Sequence, residues 1–261
     1  MASILDRYGI KEVADVTVYH LDEMGEPDYP VLFLDTLKVS TIEQTASSAD
    51  ATGGKGNAKL VSWDFGKDIN VTIEDALFSP KSMSMMFGGA NSSVNTTVPT
   101  GGITKTINYL ATSTDALSQK VYRQSDGSYA VTSDGTDTTG VAVKWFLENA
   151  SSSASVLASD SAPEIGQRFI GQYTITPSAC RTIEIDAAHF PGTYRFVGDT
   201  YARNEASGED EFFQFIIYKA KISAENTITL QAEGDPSTFN MNLTVLRNAD
   251  GKMMDLIQYK I

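Results

Sequence analysis

Strict two-residue alternation of apolar and polar side chains is the feature that most limits how this chain can fold. The segments INVTIE at 69–74 and FNMNLTV at 239–245 place an apolar residue at every second position. Successive side chains of a β-strand point to opposite faces of its sheet, so this pattern predicts strands with one buried and one solvated face. Further strands are predicted at 13–21, 30–39, 168–176, 181–185, 212–222, 226–232 and 253–261. The predicted fold class is therefore mainly β.

One short helix is predicted between the strands, at residues 80–87. Ser79 is a residue type that caps helix N-termini, Pro80 suits the first helical position, and Gly88 suits a left-handed C-terminal stop. A helix of about two turns is unstable alone, so we expect it to pack on a sheet. Its predicted apolar face consists of Met83, Met86 and Phe87.

The chain divides by composition into three blocks, of which the middle one differs from its neighbours. Residues 91–164 are dominated by Ser, Thr, Gly, Asp and Asn, and they carry turn signals at Asp126-Gly127 and Asp134-Gly135. This block is predicted to be an inserted β-rich module or a long arm. Residues 1–90 and 165–261 show the regular apolar patterning of strands.

A glycine-rich segment at 46–58 (ASSADATGGKGNA) separates two predicted strands. Its small polar residues bury too little surface to order themselves, so we predict an exposed, mobile loop. The run Gly53-Gly54-Lys55-Gly56 does not match the phosphate-binding pattern GxxxxGK[ST], because a glycine follows the lysine and Ala49 stands at the first glycine position. We therefore expect no nucleotide cofactor.

Charge and residue inventory argue against several functional classes. With 20 basic and 33 acidic residues the chain carries a formal charge of −13, which opposes tight binding to nucleic acid because phosphate contacts require cations. Two histidines and one cysteine are too few for most zinc sites. The aspartates do not follow the spacing of a twelve-residue calcium loop. No run of 18 apolar residues is present, so no membrane-spanning helix is predicted.

No arrangement of nucleophile and base is recognisable in the sequence. His20 and His189 have no GxSxG motif to act with, and Cys180 is interpreted as a small buried hydrophobic residue. Trp63, in the segment WDF, is interpreted as a core aromatic at the end of a strand. We therefore predict that the protein is not an enzyme and that it has no catalytic, cofactor-binding or metal-binding residues.

Two regions of the sequence resemble bacteriophage tail tube (major tail) proteins. The first region contains GGKGNA, LVSWDFGK and INVTIEDALFSPKSM, and the second contains AEGDPSTFNMNLTVL and MMDLIQY. The resemblance covers 1–90 and 165–261, and it implies that these two segments form one discontinuous domain. The implied fold is a tail-tube-type β-sandwich or barrel with one short flanking helix, into which residues 91–164 are inserted as a Ser/Thr/Gly-rich β module or arm.

The resemblance also implies a function. Proteins of this kind are structural virion proteins whose hexameric rings stack into the hollow phage tail tube through which DNA is delivered to the host. In such a tube, the loop after the second strand reaches the neighbouring ring. The stacking residues implied for this chain are Thr45, Asp50, Gly53, Gly54, Lys55, Gly56 and Asn57. The candidates for residues that line the lumen are Glu74 and Glu184, whose carboxylates would repel DNA.

Partners and location follow from the same resemblance. The expected partners are sister copies, the tape measure, terminator and baseplate proteins of the tail, and a sheath if the tail is contractile. DNA is expected to pass without specific binding, and no membrane contact is expected. The expected location is the virion, after assembly in the host cytoplasm. The sequence leaves open a tail terminator, a baseplate hub or a capsid decoration protein on the same fold, and a glycan-binding β-sandwich module.

Overall fold

The computed structural model describes residues 7–10, 12–77, 79–88, 98–99, 101–112, 144–148, 164–228 and 238–260. Within these residues the chain forms twelve strands and one helix, which confirms the mainly-β fold class. The chain is divided into two compact units. The first unit consists of Met1–Val94 and Ile183–Ile261, and the second consists of Asn95–Thr182. No helix in the described ranges has both the length and the apolar character that crossing a membrane requires.

All described elements but one are strands, and the helix α1 (Pro80–Phe87) lies between the fifth and the sixth strand. The strands are β1 (Tyr8–Ile10), β2 (Asp15–Leu21), β3 (Pro27–Leu34), β4 (Leu37–Gly53), β5 (Ala58–Asp75), β6 (Ile103–Leu110), β7 (Lys144–Leu147), β8 (Arg168–Ile175), β9 (Thr193–Asn204), β10 (Asp210–Ile222), β11 (Phe239–Val245) and β12 (Met254–Tyr259).

The first unit is built on a nine-stranded antiparallel sheet. Seven strands follow the order β3-β2-β9-β10-β11-β5-β4, while β1 pairs with β9 and β12 pairs with β10. The strand β10 is long enough to serve two partners on one side, because β11 pairs with its residues 220–222 and β12 with its residues 212–217. β5 pairs with β11 along residues 70–75 only, so the earlier half of β5 continues beyond β11 with β4 as its one partner in the described sheet.

Alternate residues of these strands meet on one face of the sheet and form the core of the first unit. In β11 every apolar residue of FNMNLTV is buried and every polar residue is exposed, and in β5 Ile69, Val71 and Ile73 are buried. The period-two prediction is thereby confirmed for both segments. Full burial of such a side chain contributes roughly 1.5–3 kcal/mol, so this face provides most of the stabilisation of the sheet.

Helix α1 begins and ends at the residues that the sequence predicts. The Ser79 hydroxyl accepts a hydrogen bond from the backbone N–H of Ser82 at 3.0 Å, and the Ser82 hydroxyl accepts one from the backbone N–H of Ser79 at 2.9 Å. This reciprocal capping box satisfies two N–H groups that the helix itself leaves unpaired. Gly88 ends the helix with a φ of 67°. A Cβ at Gly88 would lie 2.4 Å from the backbone of Phe190, so only glycine fits there.

The face that α1 buries differs from the predicted one. Met85 and Met86 are buried, whereas Met83 and Phe87 are only half-buried. The buried spacing i, i+3, i+4 begins at Ser82 instead of Met83, one residue earlier than predicted. A serine is tolerated on the buried face because its hydroxyl is already engaged in the capping box.

The predicted strand 30–39 is in fact two strands, since β3 ends at Leu34 and β4 begins at Leu37. Thr36, in the break, donates its hydroxyl to the buried carboxylate of Asp75, and its carbonyl accepts the N–H of Ala76 at 3.1 Å. The apolar residues of this segment therefore extend across the sharp bend that joins β3 to β4. The side-chain pattern alone does not distinguish such a bend from a continuous strand.

Two further strand predictions are wrong where the structure describes them. Residues 181–185 form no strand apart from an isolated bridge at Thr182, and residues 226–228 are irregular. The remaining part of the predicted strand 226–232 lies outside the described residues. A turn at Asp250-Gly251, with Gly251 at a φ of 82°, lies between the last two strands. These strands, β11 and β12, do not pair with each other, because both pair with β10.

In the part of the second unit that the structure describes, three strands form an antiparallel sheet in the order β6-β8-β7. The buried residues Ala111, Trp145, Phe169 and Tyr173 pack together there. Residues 168–175 belong to this sheet as β8, although the sequence analysis assigned them to the discontinuous domain. The predicted turns at 126–127 and 134–135 lie outside the described residues.

Candidate assembly surfaces

The most exposed regular structure of the first unit is a long β-hairpin. β4 and β5 pair from Thr45↔Asp68 outward to Gly53↔Ala58, and we call residues 46–67 the hairpin arm. The prediction of a mobile loop at 46–58 is therefore wrong, because only residues 54–57 form the turn. The small residues of β4 bury little surface themselves, but the cross-strand hydrogen bonds to β5 hold them in register.

A bulge at the base of the hairpin arm changes which face the odd-numbered residues of β5 occupy. Thr45 pairs with Asp68 but Ser47 pairs with Phe65, so β5 holds one residue more than β4 over this stretch. Gly66 lies in this bulge with a φ of 62°, a conformation that glycine adopts without strain. Residues 61, 63 and 65 consequently lie on the face opposite to the buried residues 69, 71 and 73, although all six positions are odd-numbered.

The face exposed by this change carries large apolar side chains, three of which lie in a row that we call the apolar stripe. Val61, Trp63 and Phe65 are 49%, 58% and 58% exposed, and they pair across the arm with Ala51, Ala49 and Ser47. The interpretation of Trp63 as a core aromatic is wrong, because the arm extends beyond the core. The sequence did not identify these three residues as an exposed surface. Its alternating pattern is visible in the sequence, but the bulge that turns it outward is not.

The other face of the hairpin arm is polar. It carries the cross-strand pairs Ser48↔Asp64 and Asp50↔Ser62, and Lys59 forms an ion pair with Asp50. Hydrogen bonds from Lys59 and Ser62 lower the pKa of the Asp50 carboxyl. The arm is thus an amphipathic hairpin, with apolar and charged faces separated by strand alternation.

The residues predicted for the stacking loop all lie on this hairpin or at its base. Thr45 lies at the base and Asp50 lies along β4, while residues 53–57 form the end of the hairpin. Gly54, Gly56 and Asn57 all have positive φ values, of 80°, 87° and 51°, which explains the glycine and asparagine content of the turn. The structure therefore brings the predicted set together on one protruding element.

The two predicted lumen residues lie in different kinds of structure. Glu74 lies on β5, on the sheet face opposite the core, whereas Glu184 lies in the irregular segment between β8 and β9 and belongs to no strand. The face around Glu74 is polar and mostly uncharged. Its side chains come from β5 and β11 and are Asn70, Thr72, Asn240, Asn242 and Thr244, and we call this set the polar face. Thr72 donates to Asn242 at 3.1 Å, so the polar face has internal hydrogen bonds.

A second exposed apolar group lies at the outer end of the β9–β10 hairpin. Tyr201, Phe212 and Tyr259 occupy the same position on three adjacent strands, and we call them the aromatic ladder. The ring centroids of Phe212 lie 5.3 Å from those of both tyrosines. Tyr201 is 48% exposed and Tyr259 37% exposed. Like the apolar stripe, the ladder lies on the sheet face that points away from the core.

The segment that surrounds the aromatic ladder is strongly acidic. Residues 199–214, which we call the acidic tip, contain five carboxylates and one arginine, for a net charge of −4. Arg203 binds Asp210 through two hydrogen bonds of 2.6 and 2.8 Å, which raise the pKa of the arginine. Lys260 pairs with Glu209 and lowers the pKa of that carboxyl. Electrostatic attraction therefore fixes the strands at this end while leaving an excess of negative charge.

The residues considered for chemistry belong to none of the surfaces defined above. The Nδ1 atom of His189 is 2.6 Å from Asp186, whose other carboxylate oxygen accepts the N–H of Ala188 at 2.7 Å. The hydrogen bond from Ala188 contributes most to lowering the pKa of the Asp186 carboxyl, and the contact with His189 lowers it further. Cys180 is half-buried instead of buried, and its Sγ lies 3.5 Å from the hydroxyl of Thr182. His20 stacks on a tyrosine ring at 5.0 Å. Among the described residues, no three metal-ligating side chains lie together.

The sequence was compared with known protein families and with curated proteins. The sequence matches the family model of the YomU/Tube protein family over residues 8–258, which is nearly the whole chain. No curated protein matches the chain.

Proposed function

The chain belongs to the YomU/Tube protein family, a phage-derived tube family, and from this premise we propose that its copies form hexameric rings that stack into the hollow tail tube of a phage. The chain is a tube-like structural protein and a virion component. In the proposal its role is purely structural, it acts without catalysis, and it delivers DNA to the host by providing a conduit. Its proposed partners are sister copies, the tape measure, terminator and baseplate proteins, and a sheath in a contractile tail, with assembly in the host cytoplasm.

The single observation that carries this proposal is the hairpin arm with its outward apolar stripe. A protruding hairpin with exposed Trp63 and Phe65 is costly in a free monomer, because soluble monomers rarely present contiguous large apolar side chains. β3 and β4 stand at the two ends of the strand order among the described residues, and such edges would likewise invite pairing with other chains. In a ring and tube built from identical copies, heterologous contacts cover both features and close by rotation.

The conduit part of the proposal is supported by charge. The five residues of the polar face offer amides and hydroxyls, and Lys221 lies beside Thr244 at the edge of this face, so DNA phosphates find few cations to bind there. The chain carries a formal charge of −13, and six copies in a ring would repel DNA at short range, within the screening length of roughly 8 to 10 Å. In this arrangement the polar face, with Glu74 beside it, lines the lumen.

The test is the assembly of the purified chain as its concentration is raised. Negative-stain electron microscopy is expected to show hollow rings and stacked tubes. In a shortened variant, Asn-Gly replaces residues 49–63, so that a tight turn joins the existing pair Ser48↔Asp64. This variant is expected to keep the melting temperature of the first unit and to lose stacking. A wild-type chain that stays monomeric at every concentration would refute the proposal.

A further inference from the structure

We infer that the apolar stripe of one copy docks on the aromatic ladder of a second copy, an inference that rests on the proposed function. Val61, Trp63 and Phe65 form a row on one face of the hairpin arm, and Tyr201, Phe212 and Tyr259 form a row across three strands. The three stripe residues are exposed in the single chain, as are Tyr201 and Tyr259 of the ladder, while Phe212 between them is half-buried. The occupant of the ladder is therefore the arm of a sister copy.

The two surfaces match in shape and chemistry. The stripe presents a tryptophan and a phenylalanine beside small partners, Ala49 and Ser47, so its rings stand above a low surface. The ladder presents rings in a row at centroid spacings of 5.3 Å. Aromatic rings favour offset-stacked or edge-to-face contacts at centroid distances of about 4.5–7 Å. The rings of one row can therefore pack against the rings of the other.

The charges of the two segments are complementary. The hairpin arm contains three lysines and two aspartates, a net charge of +1 in a chain whose total is −13, whereas the acidic tip has a net charge of −4. Lys59 is paired with Asp50 within the arm. Lys55 and Lys67 form no ion pair with any described residue. The arm therefore offers two uncompensated cations.

The acidic tip offers a carboxylate on the same sheet face as the aromatic ladder. Asp199 lies two residues before Tyr201 on β9 and accepts a hydrogen bond from the neutral amide of Gln214 at 2.6 Å, and it forms no ion pair with any described residue. Glu211 lies beside Phe212 in β10, on the opposite sheet face, and interacts electrostatically with Lys260. Asp199 is thus the natural counterpart of a free lysine of a docking arm.

The apolar area that one arm can bury shows whether docking needs the assembled protein. The exposed parts of Trp63 and Phe65, 58% each, amount to about 230 Å² for aromatic side chains of about 200 Å² each. A stable protein interface buries about 800 Å² on each partner, so one arm does not hold two copies together in dilute solution. Several arms between two rings act together, because each further contact then forms within one assembly. Docking is therefore a property of the assembled protein.

The experiment places a photo-crosslinker on the stripe. The variant Ala49→p-benzoylphenylalanine, whose residue 49 pairs with Trp63, is co-assembled with ¹⁵N-labelled wild-type chain, irradiated and digested with trypsin. The three ladder residues fall in three tryptic peptides, 196–203, 204–219 and 253–260. We expect unlabelled arm peptide joined to labelled peptides of this set. The control variant Ser48→p-benzoylphenylalanine carries the probe on the polar face of the arm and is expected to give few or none of these products.

The outcomes separate the inference from the proposed function. Tubes that form but cross-link elsewhere, or only within one chain, overturn the inference and leave the tube role intact. A chain that never assembles overturns both.

A second measurement examines the charges. The variant Lys55→Glu/Lys67→Glu is expected to need roughly tenfold more protein to assemble at low salt. Adding Asp199→Lys, on the ladder face, is expected to restore part of the assembly. The control Lys105→Glu, on exposed β6 of the second unit, is expected to assemble as wild type. Failure of Asp199→Lys to rescue assembly would also count against the inference.

Discussion

Replacing Trp63 by alanine should weaken assembly strongly while leaving the fold of the monomer unchanged. A tryptophan side chain buries about 200 Å² when fully covered, and 58% of Trp63 is exposed in the single chain. Covering that part removes about 120 Å² of mainly apolar surface from water, worth about 3 kcal/mol. Since each 1.4 kcal/mol is a factor of about ten, the concentration needed for assembly should rise by about a hundredfold.

The assay is sedimentation or light scattering across a dilution series, with the melting temperature measured on the same samples. The variant Trp63→Phe keeps an aromatic ring on the stripe and should lie between wild type and Trp63→Ala. The other tryptophan, Trp145, is fully buried in the second unit, so Trp145→Ala should destabilise that unit by about 3 to 5 kcal/mol. Assembly of Trp63→Ala at the wild-type concentration, or a large loss of its melting temperature, would refute the reasoning.

Three further predictions concern stability and pH. Gly198→Val should destabilise the first unit by about 1–3 kcal/mol in denaturant unfolding, because a Cβ at Gly198 would lie 2.2 Å from the ring of Phe215; Gly9→Ala, with open space around it, should not. Ser79→Ala should cost about 1 kcal/mol by removing the helix cap, and an unchanged unfolding midpoint would contradict this cap. The lowered pKa of Asp186 contributes stability that is present above its ordinary value of 3.8 and is lost as the pH falls through the lowered value. Asp186→Asn should therefore lose less melting temperature than wild type between about pH 6 and about pH 3, and equal losses would show that this carboxylate plays no part.

The helix and the alternating strands were predictable because their signals are local. The capping serine and the glycine stop of α1 act within a few residues of the helix, and they give the same ends in the structure as in the sequence. The alternation of β11 likewise depends only on successive side chains. The face that α1 buries was not predictable to the residue, because the capping box satisfies the hydroxyl of Ser82 and allows that serine on the buried side.

The hairpin arm was missed because its order does not come from its own composition. Residues 46–53 are small and polar, which is typical of loops, but they are held as a strand by pairing with β5. That partner is a longer and more apolar segment. Cross-strand pairing of this kind depends on a register that includes a bulge, and no local residue pattern fixes where the extra residue falls.

The candidate surfaces were predictable only in part for the same reason. The resemblance to tail tube proteins pointed to the segment that forms the arm, and the structure brings those residues together. The apolar stripe faces outward because Gly66 shifts the alternation of β5. The aromatic ladder combines residues from β9, β10 and β12, two of which are far apart in sequence. Sequence alone gives no reason to join Tyr201 to Tyr259.

The central claim is that copies of this chain bind one another through the hairpin arm and enclose a hollow conduit. Electron cryo-microscopy of the protein assembled at high concentration tests it most directly. The account predicts a hollow tube in which Trp63 of each copy is buried against a sister copy and the polar face borders the lumen. A closed particle without a channel, or a tube in which Trp63 remains in solvent, would contradict it.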